Sequence, residues 1–440
     1  MWLRETARYL NTHSPPPRQR RSLIQFRSFD VRILVVSQYF WPENFRINDL
    51  VAGLVEKGHE VTVLTGHPNY PAGRFFPGHG CFRPTRERYH GAEVIRVPLV
   101  PRGAGGGIHL ALNYISFAAF GCLFGPLRAR GRYDVIFVFA PSPITVCLPA
   151  IIIKALRNIP LILWVQDLWP ESLSATGAVK SPGILRWVGR MVGFIYGRCD
   201  LILVQSEAFF PAIAKLCKQE RNVRYFPNSA ESLYRPLALE ADADERRLMP
   251  QGFRVVFAGN IGAAQDFPTI LAAAEILRDR ADIQWVIIGD GRRAPWVKDE
   301  VLRRGLQQNI HFLGYHPIET MPRFFQLADV LLVTLRADPI FSLTMPSKIQ
   351  SYMACQRPIV AGLDGEGGRV VEESGAGFCV SAENPEALAN AIVKIYSLSA
   401  VERVEMGRRA RNYFDAHFDR SMLIDRLDGW MRSVASGDTP

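Results

Sequence analysis

The sequence predicts an α/β protein built from two Rossmann-like, doubly wound domains that face a central cleft. Three observations carry this expectation. Two series of short apolar runs alternate with helical stretches, and a polar segment at residues 228–251 separates them. The chain has 440 residues, enough for two cores at roughly 100 to 200 residues per domain. Hydrophobic residues make up 48% and charged residues 21%, which disfavours both a disordered chain and a polytopic membrane protein.

The first thirty residues stand outside either series. Arg4, Arg8, Arg18, Arg20, Arg21 and Arg27 face only Glu5 and Asp30, so this stretch carries +4 of the net +10. It holds Pro15-Pro16-Pro17 and lacks the apolar run of a secretory signal. Residues 1–30 therefore read as a basic N-terminal extension. Two explanations stay open: a start site assigned too early, since the initiator codon GUG otherwise encodes valine and Val31 opens the first strand, or a real basic arm for an anionic surface.

From Val31 the elements follow in order. A buried strand at 31–36, a helix at 49–58 stopped by Gly58 and a strand at 60–65 make a βαβ unit, which implies a parallel sheet. Further strands are expected at 93–97, 134–139, 160–165 and 200–204, giving a first domain over 31–227. Two stretches, 103–127 and 135–153, contain no Asp, Glu, Lys or Arg. The second is broken by Pro141, Pro143 and Pro149 and reads as a strand, a loop and a helix inside the core. The first, at 108–125, is interrupted by His109, Asn113 and Ser116. It is expected to be a buried helix, with partial exposure to a bilayer or a true span as alternatives.

Past the 228–251 linker, strands are expected at 253–258, 285–288, 310–313, 330–334 and 358–361, for a second domain over 252–410. A C-terminal helix at 411–440 is expected to cross back onto the first domain. Seven cysteines without a C-x-x-C pair fit reduced thiols in a cytoplasm.

Several chemistries are disfavoured. No glycine occurs between Val31 and Ala52, so the G-x-G-x-x-G that dinucleotide binding needs after the first strand is missing. No P-loop occurs. The D-x-D at Asp242-Ala-Asp244 lies in the linker, and no metal site is expected. Glycines cluster instead where strands of the second domain end. Gly259-Asn260-Ile261-Gly262 precedes a helical run, and Gly289-Asp290-Gly291 precedes Arg292 and Arg293. Both loops fall at the carboxyl edge of one sheet, where backbone amides can bind an anion.

These motifs carry a resemblance. Gly289-Asp290-Gly291, Ile310-His-Phe-Leu-Gly-Tyr315, Ala328-Asp329-Val330 and the run from Met345-Pro-Ser-Lys348 through Tyr352-Met-Ala-Cys355 to Ala361 occur in series. They resemble the serial motifs of the C-terminal domain of GT-B glycosyltransferases, family four, retaining. Phe226-Pro227-Asn228 and Gly58-His59-Glu60-Val61 are similar to the same family, and the likeness runs from about 31 to 431. Ser37-Gln-Tyr-Phe-Trp-Pro-Glu43, Pro68-Asn69-Tyr70-Pro71 and Trp164-Val-Gln-Asp-Leu-Trp-Pro-Glu-Ser172 resemble bacterial polysaccharide transferases of the O-antigen L-fucosamine and colanic acid type.

The resemblance implies a metal-independent, retaining enzyme with no cofactor beyond its sugar nucleotide, a UDP-sugar above all, bound by the C-terminal domain. It implies an acceptor on the N-terminal domain, a polyprenyl-diphosphate-linked saccharide at the inner face of the cytoplasmic membrane, and no nucleic-acid partner. Two departures stand out. The first loop of the second domain, from Gly259 to Gln265, lacks the family's Arg and Lys, and the family's paired glutamates are replaced by Leu343 and Ser351.

Lys348, at the start of the helix carrying Tyr352, is the expected cationic substitute, and Asp167, beyond the strand at 160–165, is the second catalytic candidate. Donor-side candidates are Gly259, Asn260, Gly262, Gln265, Gly289, Asp290, Gly291, Arg292, Tyr315, Pro346, Ser347 and Ser351. Acceptor-side or cleft candidates are Glu43, Arg46, His67, Asn69, Gln166 and Glu171. The alternatives to a transferase are a UDP-sugar 2-epimerase of the same architecture and a non-catalytic membrane scaffold.

Overall fold

The computed structural model describes residues 31–438 apart from 82, 84, 104–106, 176, 178 and 218–221. The expectations for residues 1–30 fall outside the described residues.

The first sheet has eight strands: β1 (Arg32–Val36), β2 (Glu60–Gly66), β3 (Arg86–Tyr89), β4 (Ala92–Val97), β5 (Val135–Ala140), β6 (Leu161–Val165), β7 (Leu201–Val204) and β8 (Val223–Tyr225). Their spatial order is β3-β4-β2-β1-β5-β6-β7-β8, and only β3 runs antiparallel to its neighbour. The inner strands β5, β6 and β7 are buried along their whole length, as continuous apolar runs between two helical layers require. One layer holds α1 (Arg46–Glu56), the other α2 (Gly107–Arg128), α3 (Cys147–Arg157) and the helix Pro182–Tyr196.

The second sheet has six parallel strands: β9 (Phe253–Ala258), β10 (Ile283–Ile288), β11 (Ile310–Gly314), β12 (Val330–Thr334), β13 (Ile359–Gly362) and β14 (Gly377–Val380). Their order is β11-β10-β9-β12-β13-β14, so the chain reverses direction across the sheet at β9 and β12. That switch point opens a crevice at the strands' carboxyl ends.

The polypeptide returns to the first domain at its end. The helix Ala400–His417 packs against Ser347–Ala354 in the second domain. Asp419 then caps Arg420–Ser436 by accepting from the Met422 amide. This last helix places Leu423, Ile424, Leu427 and Met431 in the core under the first sheet, and Arg420 bonds Asp49 on α1 at 2.7 Å. A second bridge is the short helix Pro339–Leu343, whose Ile340 joins the first domain's core while Ser206 Oγ donates to the Leu343 carbonyl at 2.5 Å. Leu343, which the resemblance aligned with a glutamate, packs against the first domain's core.

The expectation of a buried α2 is corrected. Its protein-facing residues are Asn113, Phe117, Ala118, Gly121 and Gly125, while Ile108, Leu112, Ile115, Leu123 and Leu127 are exposed. Asn113 accepts from Gln38 Nε2 at 2.8 Å and donates to the Val100 carbonyl at 2.6 Å, and Ser116 Oγ accepts from the Val100 amide. The helix is inverted relative to a soluble amphipathic one: apart from Phe117, small and polar residues face the protein, and large aliphatic ones face out. It is also long and apolar enough to cross a membrane by length and composition.

Candidate active site

The carboxyl ends of β9 and β10 form a glycine-lined floor in the second domain. Gly259 and Gly289 both have positive φ, at 131° and 136°. A Cβ on Gly289 would lie 2.0 Å from the Gly259 carbonyl, and one on Gly291 would lie 2.4 Å from that of Ile261. Only glycine permits two loops to stack backbone on backbone in this way. The stacking uses up the amides. Gly259 N donates to Ile288 O, Ile261 N to Asp290 O, and Gly262 N to Gln265 Oε1. The expectation that the amides of Gly259 to Gly262 hold an anion is corrected accordingly, because three of the four already have acceptors.

Lys348 supplies what the loop lacks. It enters from the helix Ser347–Ala354 and lies against Gly259, where a Cβ would sit 2.8 Å from Lys348 Cε. Its Nζ is shielded from solvent, has no hydrogen-bond partner among the described residues, and sits over the Phe257 ring at 3.7 Å from the centroid. Burial pulls its pKa down to about 7. An ammonium kept in a solvent-excluded pocket without an anion is unfavourable by itself, so the arrangement is suited to a ligand that brings negative charge.

The other donor-side candidates are less committed. Asp290 Oδ1 accepts from the Gly291 amide, Arg292 is exposed, and Arg293 stacks on Trp296 at 4.3 Å. Ser347 is exposed beside Pro346, and Tyr315 is 78% exposed on the rim. Ser351 turns back on its own helix, donating to the Ser347 carbonyl. Asn260 is exposed within the loop.

On the first domain several candidates prove to build the loops. Glu43 is 2% exposed, and its carboxylate accepts from the amides of Asn69 and Tyr70, each at 2.7 Å, and of Phe40 at 3.3 Å. Asn69 is buried, donating to the His67 carbonyl and accepting from the Arg102 amide. His67 Nδ1 accepts from the Gly80 amide, with the ring against Phe75 and His79, and burial lowers its pKa to about 4. It is a neutral packing residue. Arg46 faces Glu231 in the linker at 3.8 Å, and Glu171 is exposed at the first turn of a short helix. Gln166 accepts from Asn228 Nδ2 at 2.9 Å, fastening β6 to the linker.

Asp167 differs from these. It is partly buried beyond β6, and desolvation alone lifts its pKa to about 6. It interacts electrostatically with Tyr114 on α2, whose phenol also pairs with Tyr39 and feels Arg102 and Tyr70. These four residues, gathered with Asp167 at the carboxyl edge of the first sheet, were not among the sequence candidates. The available signal was Arg102 itself, the cation immediately before the charge-free stretch.

Comparisons with known proteins agree with this architecture. The family described as Glycosyl transferase 4-like domain matches residues 44–229, and that described as Glycosyl transferases group 1 matches residues 252–397. Among curated relatives, WcaI of Escherichia coli (strain K12), named as a colanic acid biosynthesis glycosyl transferase, is 26% identical over 90% of this chain and 98% of its own length. WbjE of Pseudomonas aeruginosa, named as a glycosyltransferase, is 25% identical over 70% of this chain and 77% of its own. Among solved structures, Anabaena HepE in complex with UDP and glucose superimposes with a TM-score of 0.65 at 16% identity, covering 92% of this chain and all of that one. Sucrose-phosphate synthase from Thermosynechococcus elongatus gives 0.70 at 17% identity, over 93% of this chain and all of that one. With two facing Rossmann-like domains and a family match on each, the chain belongs to the glycosyltransferases of the GT-B fold, a 4-like domain followed by a group 1 domain.

Proposed function

We propose that the protein transfers a sugar, with retention of configuration, from a nucleotide diphosphate sugar to a lipid-linked saccharide at the inner face of the cytoplasmic membrane. The observation that carries this reading is the buried, unpartnered ammonium of Lys348 against the glycine floor of the second domain. HepE, which shares the fold, is titled as a complex with UDP and glucose, which supports a UDP-sugar as donor. In the proposed step the bond from the sugar's anomeric carbon to the diphosphate breaks as the acceptor oxygen bonds to the same face. The departing phosphate takes the acceptor proton, and Lys348 stabilises the diphosphate's charge. No divalent cation has a role in this scheme. The inverted α2 supports attachment to a membrane surface, since its outer residues have no other partner among the described residues and a bilayer would cover them.

The test is incubation with a panel of UDP-sugars, with and without a polyprenyl-diphosphate saccharide, in buffer with and without EDTA. Transfer that survives EDTA and gives a product of the donor's own anomeric configuration supports the proposal. An inverted product, an isomerised free sugar or no turnover with any pair would overturn it.

A further inference from the structure

We propose that Arg102 and the outer face of α2 form one subsite for a lipid-anchored phosphate, Arg102 taking the phosphate and Ile108, Leu112 and Ile115 the hydrocarbon chain. This rests on the transferase reading above and adds to it which part of the acceptor is recognised.

Arg102 lies against two tyrosine rings that pack edge-on at 6.0 Å from one another, with its guanidinium carbon 5.0 Å from the Tyr70 centroid and 5.7 Å from that of Tyr39. Its Nη1 donates to the Tyr39 hydroxyl at 2.9 Å. Among the described residues it has no carboxylate within ion-pair distance, although most other arginines packed into the first domain have one or bond carbonyls. The two tyrosines fix the guanidinium, and among the described residues only Nη1 is bonded, so most of its five N–H donors remain to grip an oxyanion in a forked geometry.

The apolar track starts six residues further on, at Ile108. Val100, two residues upstream of Arg102, is clamped at both its amide and its carbonyl by Ser116 and Asn113 of α2. Arg102 itself is tied by its amide to Asn69, which α2 also reaches through Asn113. The guanidinium and the helix are therefore parts of one frame. Ile108, Leu112 and Ile115 are 77%, 47% and 63% exposed along the first two turns, and Tyr114, between them, turns inward to Tyr39. One cation held in the same hydrogen-bonded frame as an outward-facing aliphatic strip matches a ligand with one anionic end and a long apolar tail. A soluble sugar would use neither the strip nor the charge. Asp167, near Tyr114, lies where the saccharide joined to that phosphate would enter the cleft.

The experiment measures binding to the full chain, with saturating UDP to block the donor side, of three probes: geranylgeranyl diphosphate, geranylgeraniol and inorganic pyrophosphate. The intact protein is expected to bind the lipid diphosphate at least about tenfold tighter than either fragment. Arg102→Ala should lose about tenfold or more for it, as expected for a charge-assisted hydrogen bond, while Leu112→Ser with Ile115→Ser weakens the lipid diphosphate and leaves pyrophosphate unchanged. UDP affinity should be the same in all variants; if Arg102→Ala loses UDP binding through misfolding, Arg102→Gln and the α2 pair decide. Unchanged lipid-diphosphate affinity in folded Arg102 variants overturns the proposal, as does pyrophosphate binding as tightly as the lipid. A protein that shows this binding pattern but transfers no sugar overturns the transferase reading and leaves the subsite standing.

Discussion

Lys348 holds its ammonium 3.7 Å from the centre of the Phe257 ring, and that ring is the last large side chain before the β9 strand turns at Gly259. The pairing places a desolvated cation beside the loop from Gly259 to Gln265, which has no Arg or Lys of its own. Lys348→Ala is therefore expected to lose roughly 100 to 1,000-fold in turnover, the usual cost of removing a group that stabilises developing charge. Arg292, exposed on the rim, should lose less than about tenfold on replacement by Ala. Steady-state rates of both variants check the contrast.

The same lysine makes donor binding depend on pH. Free, its pKa is pulled to about 7 by burial. A bound diphosphate restores the charged form, so above pH 7 binding takes up a proton and UDP affinity falls as pH rises; below pH 7 it levels off. Titration calorimetry at pH 8 in buffers of different ionisation heat should show the proton uptake, and Lys348→Met should abolish it. Because the unfolded chain keeps a lysine of ordinary pKa, the unliganded native state bears the full cost of the charge below pH 7. It recovers stability as pH rises above 7, and Lys348→Met should raise Tm most at pH 6 to 7.

Asp167 gives an acid limb. Desolvation lifts its carboxyl to about 6, so the ionised form is lost as pH falls through that value. kcat/KM should fall below about pH 6 in the native enzyme, and Asp167→Asn should be slow and lack this limb. The raised pKa also means that the neutral carboxyl favours folding at low pH and that this contribution is lost as pH rises through 6. At pH 8 the uncharged asparagine should therefore raise Tm.

Glu43 should matter for folding more than for chemistry. Glu43→Ala leaves the Asn69 and Tyr70 amides without their acceptor and should cost about 2 to 6 kcal/mol, at about 1 to 3 kcal/mol per orphaned amide. Denaturant unfolding measures it, with Glu43→Gln expected to recover part because one amide oxygen remains.

Membrane attachment through α2 predicts release by detergent rather than by salt, since hydrophobic contact is not screened. Ile115→Glu with Leu123→Glu should move the protein to the supernatant at unchanged Tm, because both side chains are about 60% exposed and pack on little. Sedimentation of the two proteins with anionic vesicles is the measurement.

What the sequence disclosed follows from where its information is local. The buried strands β1, β5, β6, β9 and β12 are continuous apolar runs, and each lies within a residue or so of its expected position. β3 is Arg-Glu-Arg-Tyr, a polar edge strand with alternate side chains exposed, and β8 is three residues long; neither has a pattern that separates it from a loop. The inversion of α2 is invisible in composition, because its moment cancels when both faces are apolar and only Asn113 and Ser116 mark the inner one. Lys348 could be picked out because it lies inside a motif. Glu43 could not be recognised as a loop anchor, since its partners are 26 and 27 residues away.

The crossing of Arg420–Ser436 onto α1 has a consequence for biosynthesis. The layer beneath the first sheet is finished by Leu423, Ile424, Leu427 and Met431, yet β5, on which this helix packs beside α1, emerges from the ribosome about 280 residues earlier. During translation the part of that face beside α1 must wait uncovered while the entire second domain is made, which exposes Val135, Phe137 and Phe139 on β5 to misassociation. A nascent chain stalled before residue 420 should therefore recruit a holdase chaperone, and a separately made peptide of residues 418–438 should displace it.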